Sequence, residues 1–566
     1  MEKSRLDHHF LHTDQALLHT ILSAMLLALL SIGLYHETLS AGWRFDDGGH
    51  LNFAVSYTPW QYFFVPDITR LQSGANLTPW NALFYDINLE LFGLDPAGFY
   101  AHLLILLWLT SIASYLLLKL WIPAHWALTG SALFLVSAPT THIANEIMTG
   151  HYASGLLFTV IALYGYTRAI HDQRFSWAFF SAFFYLLAVT CKEIYVPLIA
   201  ILPFLPAGTL KTRLRLALPL ICVASAYLLW RFHVLGRLFG GYNLGGQFDP
   251  ILILDMFGSL PSLLSGDHLF GSLAWFIILT LIFYGLYRQK INVITSIAAM
   301  AILLFPLIPL VNYPGVTAPD RYLFLIAWAT AMLLAYLLAI VASQLSNSVA
   351  WCIAFILTGI SLNHHNDEHK RLLELADPTE KSYEFMLNSN GGQFYIAPNF
   401  DNYFGAVLPE AVAAQQKLSR HPVQRAPLIP DIEQLAALDL SHASVWRYER
   451  HCRCVENVSS IVPGLVEDYK HKLKERALTV HLRLQPLKAE WEFGPYQDGE
   501  YAIMLNNQGY FTLPRMGAHS YPRQSLEGYI LYKSPEGWLT RSPHFHLDLS
   551  TQSEWQWSRS DLPPSL

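Results

Sequence analysis

Charge is scarce in this chain: 14% of its 566 residues are Asp, Glu, Lys or Arg, against about 25% in an ordinary soluble protein. The deficit is concentrated before about residue 362, where one apolar run follows another. That half therefore reads as a polytopic membrane protein rather than a soluble core. There is no basic surplus either. The 36 Lys and Arg stand against 42 Asp and Glu, so no nucleic-acid partner is expected. The first apolar run, from near Ala16, lacks a small-residue cleavage site and reads as a retained helix. Of the five cysteines, Cys191, Cys222 and Cys352 lie in or beside apolar runs as small thiols. Cys452 and Cys454 stand too close in sequence for an unstrained bridge, and none is expected. No internal repeat and no low-complexity tract occurs.

What is present is a series of apolar segments, at about 17–37, 99–121, 124–140, 152–169, 176–191, 194–209, 214–234, 269–287, 291–311, 321–343 and 348–362. With about 11 spans, Lys3 and Arg5, Arg168 and Arg174, Lys211, Arg213 and Arg215, and Arg288 and Lys290 all fall on the cytoplasmic side. The same count puts the loop 38–98 outside. Its Trp- and Tyr-rich stretches "TPWQYFFVPD" and "LTPWNALFYDINLELFGLDP" suit helices lying along the bilayer surface. The loop 235–268 carries glycines and is long enough to close over a site. After Leu362 the chain becomes charged and helical in pattern. Strand-like stretches follow: "GQFYIAPN", "ASVWRYE", "ALTVHLRL", "EYAIMLN", "GYILYK" and "HFHLDLS". The expected architecture is a polytopic α-helical membrane domain, residues 1–362, followed by a soluble α/β domain, residues 363–566, β-rich at its end and on the outer face.

Polar residues gather at the outer ends of these spans. Asp46 and Asp47, in "WRFDDGGH", are paired carboxylates at a membrane boundary, costly unless solvated or paired. As an Asp-Gly turn they need no further role. As a site they offer a general base for an attacking hydroxyl, with the second acid orienting the first or binding a cation. In the second outer segment, His142 and Glu146 share a face if helical, with Asn145 and His151 nearby. With Asp47 they form a candidate divalent-cation site, although no tight ligand motif is present. Lys192 and Glu193 interrupt an apolar hairpin. They are either a structural ion pair or a phosphate-neutralising lysine oriented by its neighbour. Arg321, at the mouth of the tenth span, and Arg231, near the outer end of the seventh, are either snorkelling anchors or further phosphate ligands.

Taken in order, these stretches resemble the GT-C superfamily of membrane glycosyltransferases, in its protein O-mannosyltransferase-like branch. The resemblance rests on the acidic pair Asp46 and Asp47 and on "LFGLDPAGFYAHLLIL" entering the second span. It rests further on "LLAVTCKEIYVPLIAIL" with Lys192 and Glu193, and on "PDRYLFLIAW" with Arg321 and Tyr322. It implies a polyprenyl-phosphate- or polyprenyl-diphosphate-linked sugar as donor and inverting transfer to an acceptor hydroxyl on the outer face. Asp46 and Asp47 are then catalytic, Lys192, Arg321 and Arg231 hold the donor phosphate, and Glu193, Glu146, His151 and His142 support them. A divalent cation is an option at Asp47, His142 and Glu146. The implied partners are the donor, membrane lipids and an acceptor protein, lipid or glycan. The implied setting is a bacterial inner membrane, with the site and the terminal domain periplasmic. The chain departs from the branch at Thr78-Pro79, where Arg-Pro is usual, and at Ala138-Pro139, where His-Pro is usual.

Two other readings compete. An O-antigen ligase or polymerase would lean on arginines and a histidine in a large late loop, but "NYPGVTAPDRY" is short. A transporter would place polar groups near the midplane, often in matching half-chains, and a non-enzymatic scaffold needs no charges gathered at one face.

Overall fold

The structure is a computed structural model. It describes residues 2–560 except 206, 241–265, 267–268, 307–319, 397–406, 421–422, 430–431, 437–438, 440–442, 486–487, 506–508, 520–524 and 549–552. Most of the loop 235–268, expected to cover the site, and most of "NYPGVTAPDRY" lie outside the described residues.

Among the described residues, six helices are long and apolar enough to cross a membrane: Leu17–Ser40, Pro96–Leu118, Ile147–Asp172, Leu210–Leu235, Leu269–Leu304 and Arg321–Gln344. Leu29, Leu229, Phe276 and Phe283 stand exposed on them, which a lipid-facing surface requires and a soluble one avoids. The protein is an integral membrane protein. The expected count of about eleven spans is not reached on length. Ala124–Leu135 has 12 residues and Phe175–Cys191 has 17, and the segment Glu193–Phe204 is broken into short turns. The helix Leu269–Leu304 leaves helical geometry at Gln289 (φ −138°, ψ 50°), where the sequence places a charged turn between two spans.

The composition break near residue 362 is not a break in structure. One helix, Asn347–Asn388, runs for 42 residues through it, about 63 Å at 1.5 Å per residue. Ser346 caps its start by accepting from the Val349 amide. Its polar half carries the ion pairs Glu368–Arg371 and Lys381–Glu384 at i, i+3. Tyr383 and Met386 on this helix, with Leu408 and Ala411 beyond it, share one apolar core with Leu51 and Ala54 of the segment 38–98.

Each of the six strand-like stretches contains a strand, and the described residues hold seven further strands, Lys488–Gly494 and Ser553–Arg559 among them, that were not expected. A small sheet runs in the order Leu428–Ile429, Gln393–Ile396, Ser444–Glu449, Cys454–Asn457. Its first three strands are parallel and its last antiparallel. Beyond it, an antiparallel sheet built on Ser525–Lys533 and Glu500–Leu505 and another built on Leu478–Gln485, Lys488–Gly494 and Ser553–Arg559 share one core of Val480, Leu482, Phe493, Ile503 and Ile530. This is sandwich packing. The expectation of no Cys452–Cys454 bridge is overturned: the two are disulfide-bonded. Arg453 between them adopts φ 53°, and this left-handed residue turns the hairpin so that the two Cα atoms lie 5.2 Å apart, within bonding range.

Candidate active site

The site starts from the turn Arg44–Asp47. The Asp47 amide donates to the Arg44 carbonyl (3.0 Å), and the Asp47 Oδ2 accepts from the Arg44 amide (2.7 Å). The helix Asp47–Ser56 begins there, with an acid in its first turn where the helix dipole favours one. Asp47 Oδ1 accepts from the Tyr85 hydroxyl (2.6 Å), and Asp47 is wholly buried. Burial pushes its carboxyl up to about 7. The Tyr85 and Arg44 hydrogen bonds oppose the rise, and the neighbouring carboxylates of Asp46 and Glu146 add to it. Asp46 occupies the N-cap position and makes no side-chain capping bond. Its carboxylate is half-buried and interacts electrostatically with Arg321.

The raised Asp47 carboxyl has a consequence for stability. A carboxyl that titrates near 7 when folded and near 3.8 when unfolded holds its proton more tightly in the native state. Its contribution is complete below about pH 4 and is lost as pH rises through about 7, by up to about 1.4 kcal/mol per pH unit between. The melting temperature of wild type should therefore fall from about pH 5 to about pH 8 more steeply than that of D47N. Equal slopes in the two proteins would refute the assignment.

Gly48 explains the third letter of "DDGG". A Cβ there would lie 2.1 Å from the Val407 carbonyl oxygen, 2.8 Å from the Tyr383 hydroxyl and 3.1 Å from the Ala411 Cβ. The helix Asp47–Ser56 packs directly on Leu408–Leu418 from the terminal domain, and backbone cannot yield as a side-chain tip can. G48A should cost about 1–3 kcal/mol or more by overpacking, read as a lower melting temperature. G49A, which would meet the flexible Glu410 side chain at 3.0 Å, should cost less. Equal melting temperatures would disprove the packing argument.

The cations come from far along the chain. Lys192 ends the helix Phe175–Cys191 and is 6% exposed. Its ammonium lies 5.3 Å from the Tyr152 ring centroid and 5.8 Å from that of Tyr322. Among the described residues it has no hydrogen-bond or ion-pair partner. The adjacent Glu193 is engaged elsewhere: its carboxylate accepts from the Leu77 amide (2.6 Å) and pairs with Arg231. Arg321 pairs with Glu146 (3.4 Å), and Glu146 with His142 (2.9 Å). His142 in turn faces Glu368 on the long helix at 3.9 Å. Burial would lower His142, but the Glu146 and Glu368 carboxylates outweigh it and hold the imidazole up at about 9. His50, one helical turn beyond Asp46, is pushed down to about 4, first by burial and then by the charges of Lys192 and Arg321. His151 faces the same two cations and His50.

The structure thus gathers Asp46, Asp47, His142, Glu146, His151, Lys192 and Arg321 in one place. Arg231 belongs to a different arrangement. It is buried, paired with Glu193, and donates to the carbonyls of Ala75 (3.0 Å), Gly240 (2.7 Å) and Leu238 (3.2 Å). Those bonds use its donors to pin the backbone at Ala75, Leu238 and Gly240 rather than to offer them to a ligand. Sequence reasoning missed Arg44, which pairs with Glu380 (2.7 Å) and donates to the Asn145 carbonyl (3.1 Å). It also missed Tyr383. The only available signal was the position of Arg44 inside "WRFDD".

The trio Asp47, His142 and Glu146 does not fit a divalent cation. Their ligand atoms do not all lie within 4.8 Å of one another, both Asp47 oxygens are bonded, and Glu146 already lies between His142 and Arg321. Among the described residues, the group whose ligand atoms do converge is His451, Cys452 and Glu456, and there the Cys452 sulfur is bonded to Cys454.

No family model and no curated protein matches the chain. Among solved structures it is similar to the Archaeoglobus fulgidus oligosaccharyltransferase in complex with Zn and sulfate, at 12% identity over 87% of this chain and 73% of that one, TM-score 0.45. It is also similar to ArnT from Cupriavidus metallidurans in the apo state, at 14% identity over 80% and 95%, TM-score 0.45. A further similar structure is ArnT bound to undecaprenyl phosphate, at 12% identity over 80% and 95%, TM-score 0.38. The chemistry of the site has to come from its own residues.

Proposed function

We propose that the chain is a GT-C-type glycosyltransferase that moves a sugar from a polyprenyl-phosphate-linked donor to an acceptor hydroxyl, with inversion, on the outer face of a membrane. The observation that carries this reading is Lys192, a buried ammonium set against two tyrosine rings and sharing its surroundings with Arg321, His50 and Asp46. A buried cation is expensive unless an anion completes it. A lipid phosphate arriving between helices supplies one, and Arg321 offers it a second, forked donor.

Asp46 is then the base. It takes the proton of the acceptor hydroxyl as that oxygen attacks the anomeric carbon. The bond from that carbon to the phosphate oxygen breaks, and its electron pair leaves with the phosphate. Asp47, wholly buried with both oxygens bonded, orients the turn and is not placed as a nucleophile. A single displacement is the step that one accessible acid supports. Arg321 supplies positive charge to both Glu146 and Asp46, and no step is routed through a metal. Placing the basic loops in the cytoplasm puts this chemistry and the terminal domain on the periplasmic side of a bacterial inner membrane, with a protein, lipid or glycan as acceptor. Within the GT-C class, Lys192-Glu193 and Arg321-Tyr322 favour the O-mannosyltransferase-like branch.

The test is purified full-length protein incubated with a panel of polyprenyl-phosphate-linked sugars, followed by mass spectrometry of lipid and acceptor. Release of free polyprenyl phosphate together with a glycosylated product is expected. No release from any donor would sink the reading and leave a transporter or scaffold.

A further inference from the structure

We infer that the long helix Asn347–Asn388 is a structural half of the active site, and that Tyr383 and Glu380 are positioning residues that aim Asp46. The kinetic part of this inference rests on the transfer reading above; the geometry does not.

Phe45, the residue before the acid pair, has φ 45°, a left-handed conformation that a bulky side chain rarely adopts and that surrounding contacts must hold in place. Glycine would relieve the strain, but the Phe45 ring is buried with Met148 and Ala376, so the side chain is needed. The long helix holds the turn. The Tyr383 hydroxyl donates to the Phe45 carbonyl (2.7 Å) and accepts from the Gly48 amide (2.9 Å). One oxygen therefore brackets the acid pair from both sides. Thr379, one helical turn earlier on the same face, accepts from the Phe45 amide (3.4 Å). Glu380 accepts from the Gly42 amide (3.1 Å) and pairs with Arg44 (2.7 Å). Three backbone amides and one carbonyl of residues 42–48 thus end on three side chains of a helix more than 330 residues away.

The same helix also reaches the cation opposite the acid. Its Glu368 faces His142, which pairs with Glu146, which pairs with Arg321. Acid turn and arginine are therefore both referenced to one helix, on either side of its internal Pro378. The helix fixes their separation, as a site that must hold a base close to its productive geometry requires.

The experiment compares wild type, Y383F and E380Q as full-length protein. Hydrogen exchange is followed in the peptide covering residues 43–51, and kcat, donor KM and the pH profile are measured in the transfer assay. Y383F keeps the ring and removes only the bracketing oxygen. Exchange of the turn amides should speed about 10-fold or more, and kcat should fall by about 10-fold or more with donor KM within about 2-fold, because misplacing a catalytic group is costly. The acid limb of the kcat–pH profile should shift as the carboxylates lose their fixed surroundings. E380Q should behave likewise but more mildly. Unchanged exchange and kcat in both Y383F and E380Q would overturn the inference, as would a rise in KM alone. If wild type transfers no sugar while exchange still rises in Y383F, the transfer reading fails and the positioning contact stands. If sugar is transferred and exchange does not change, the inference fails and the transfer reading stands.

Discussion

D46N should yield a folded protein that releases polyprenyl phosphate about 10²- to 10⁴-fold more slowly than wild type, the range by which a positioned general base accelerates proton transfer. Asparagine has nearly the same shape as aspartate and is as good a residue at a helix N-cap, so the helix Asp47–Ser56 should start where it does now. What is lost is the ability to take a proton. Asp46 is the member of the pair suited to that work: it is half-buried, makes no capping bond and faces Arg321. Asp47 is buried and held by Tyr85 and Arg44. D47N should therefore act mainly on the stability profile. The pair of variants separates the two acids, with D46N moving kcat at nearly constant melting temperature and D47N moving the pH dependence of melting. A D46N protein with wild-type turnover would remove the base from the proposal. It would favour an O-antigen ligase-type enzyme, whose working groups are arginines and a histidine.

The parts of this molecule legible in its sequence are those governed by local pattern. Runs of apolar residues announce helices such as Pro96–Leu118 and Arg321–Gln344, alternation announces the strand Leu478–Gln485, and a short apolar run announces Glu500–Leu505. The polar residues at span ends were individually ambiguous. Placing them on one face through the distribution of basic loops made Asp46, Lys192 and Arg321 a plausible group, and the structure gathers them. What composition could not reveal is pairing. Glu193 stands beside Lys192 in sequence but pairs with Arg231, which turns one expected phosphate ligand into a loop anchor and leaves the lysine available. Tyr383 and Glu380 carry no local signal at all, since their partners lie more than 330 residues earlier. The charged stretch after Leu362 reads as the start of a separate domain because charge marks water. The helix Asn347–Asn388 runs through that change of composition without ending.

K192M should retain the fold and lose about 10²- to 10³-fold in kcat, with a smaller change in donor KM. The fold argument comes from burial. Lys192 is 6% exposed and makes no direct ion pair among the described residues, its neighbour Glu193 acting on it only through space while pairing with Arg231, so replacing its charge by an apolar chain of similar length should cost little stability. The kinetic argument comes from counting charge. A polyprenyl-phosphate-linked sugar is a phosphodiester with one negative charge; once the bond to the sugar breaks, the leaving lipid phosphate carries about two near neutral pH. The second charge develops as that bond stretches, so a fixed cation there stabilises the transition state more than the bound donor and acts on kcat. The same reasoning makes free polyprenyl phosphate a stronger inhibitor of wild type than of K192M. R321K keeps a charge but loses the fork that can face both Glu146 and phosphate, and should fall between. Because both cations would address one phosphate, losses in the double variant should not add. Wild-type kcat in K192M, with unchanged inhibition by the free lipid phosphate, would show that the buried lysine serves the tyrosine rings beside it and not a donor.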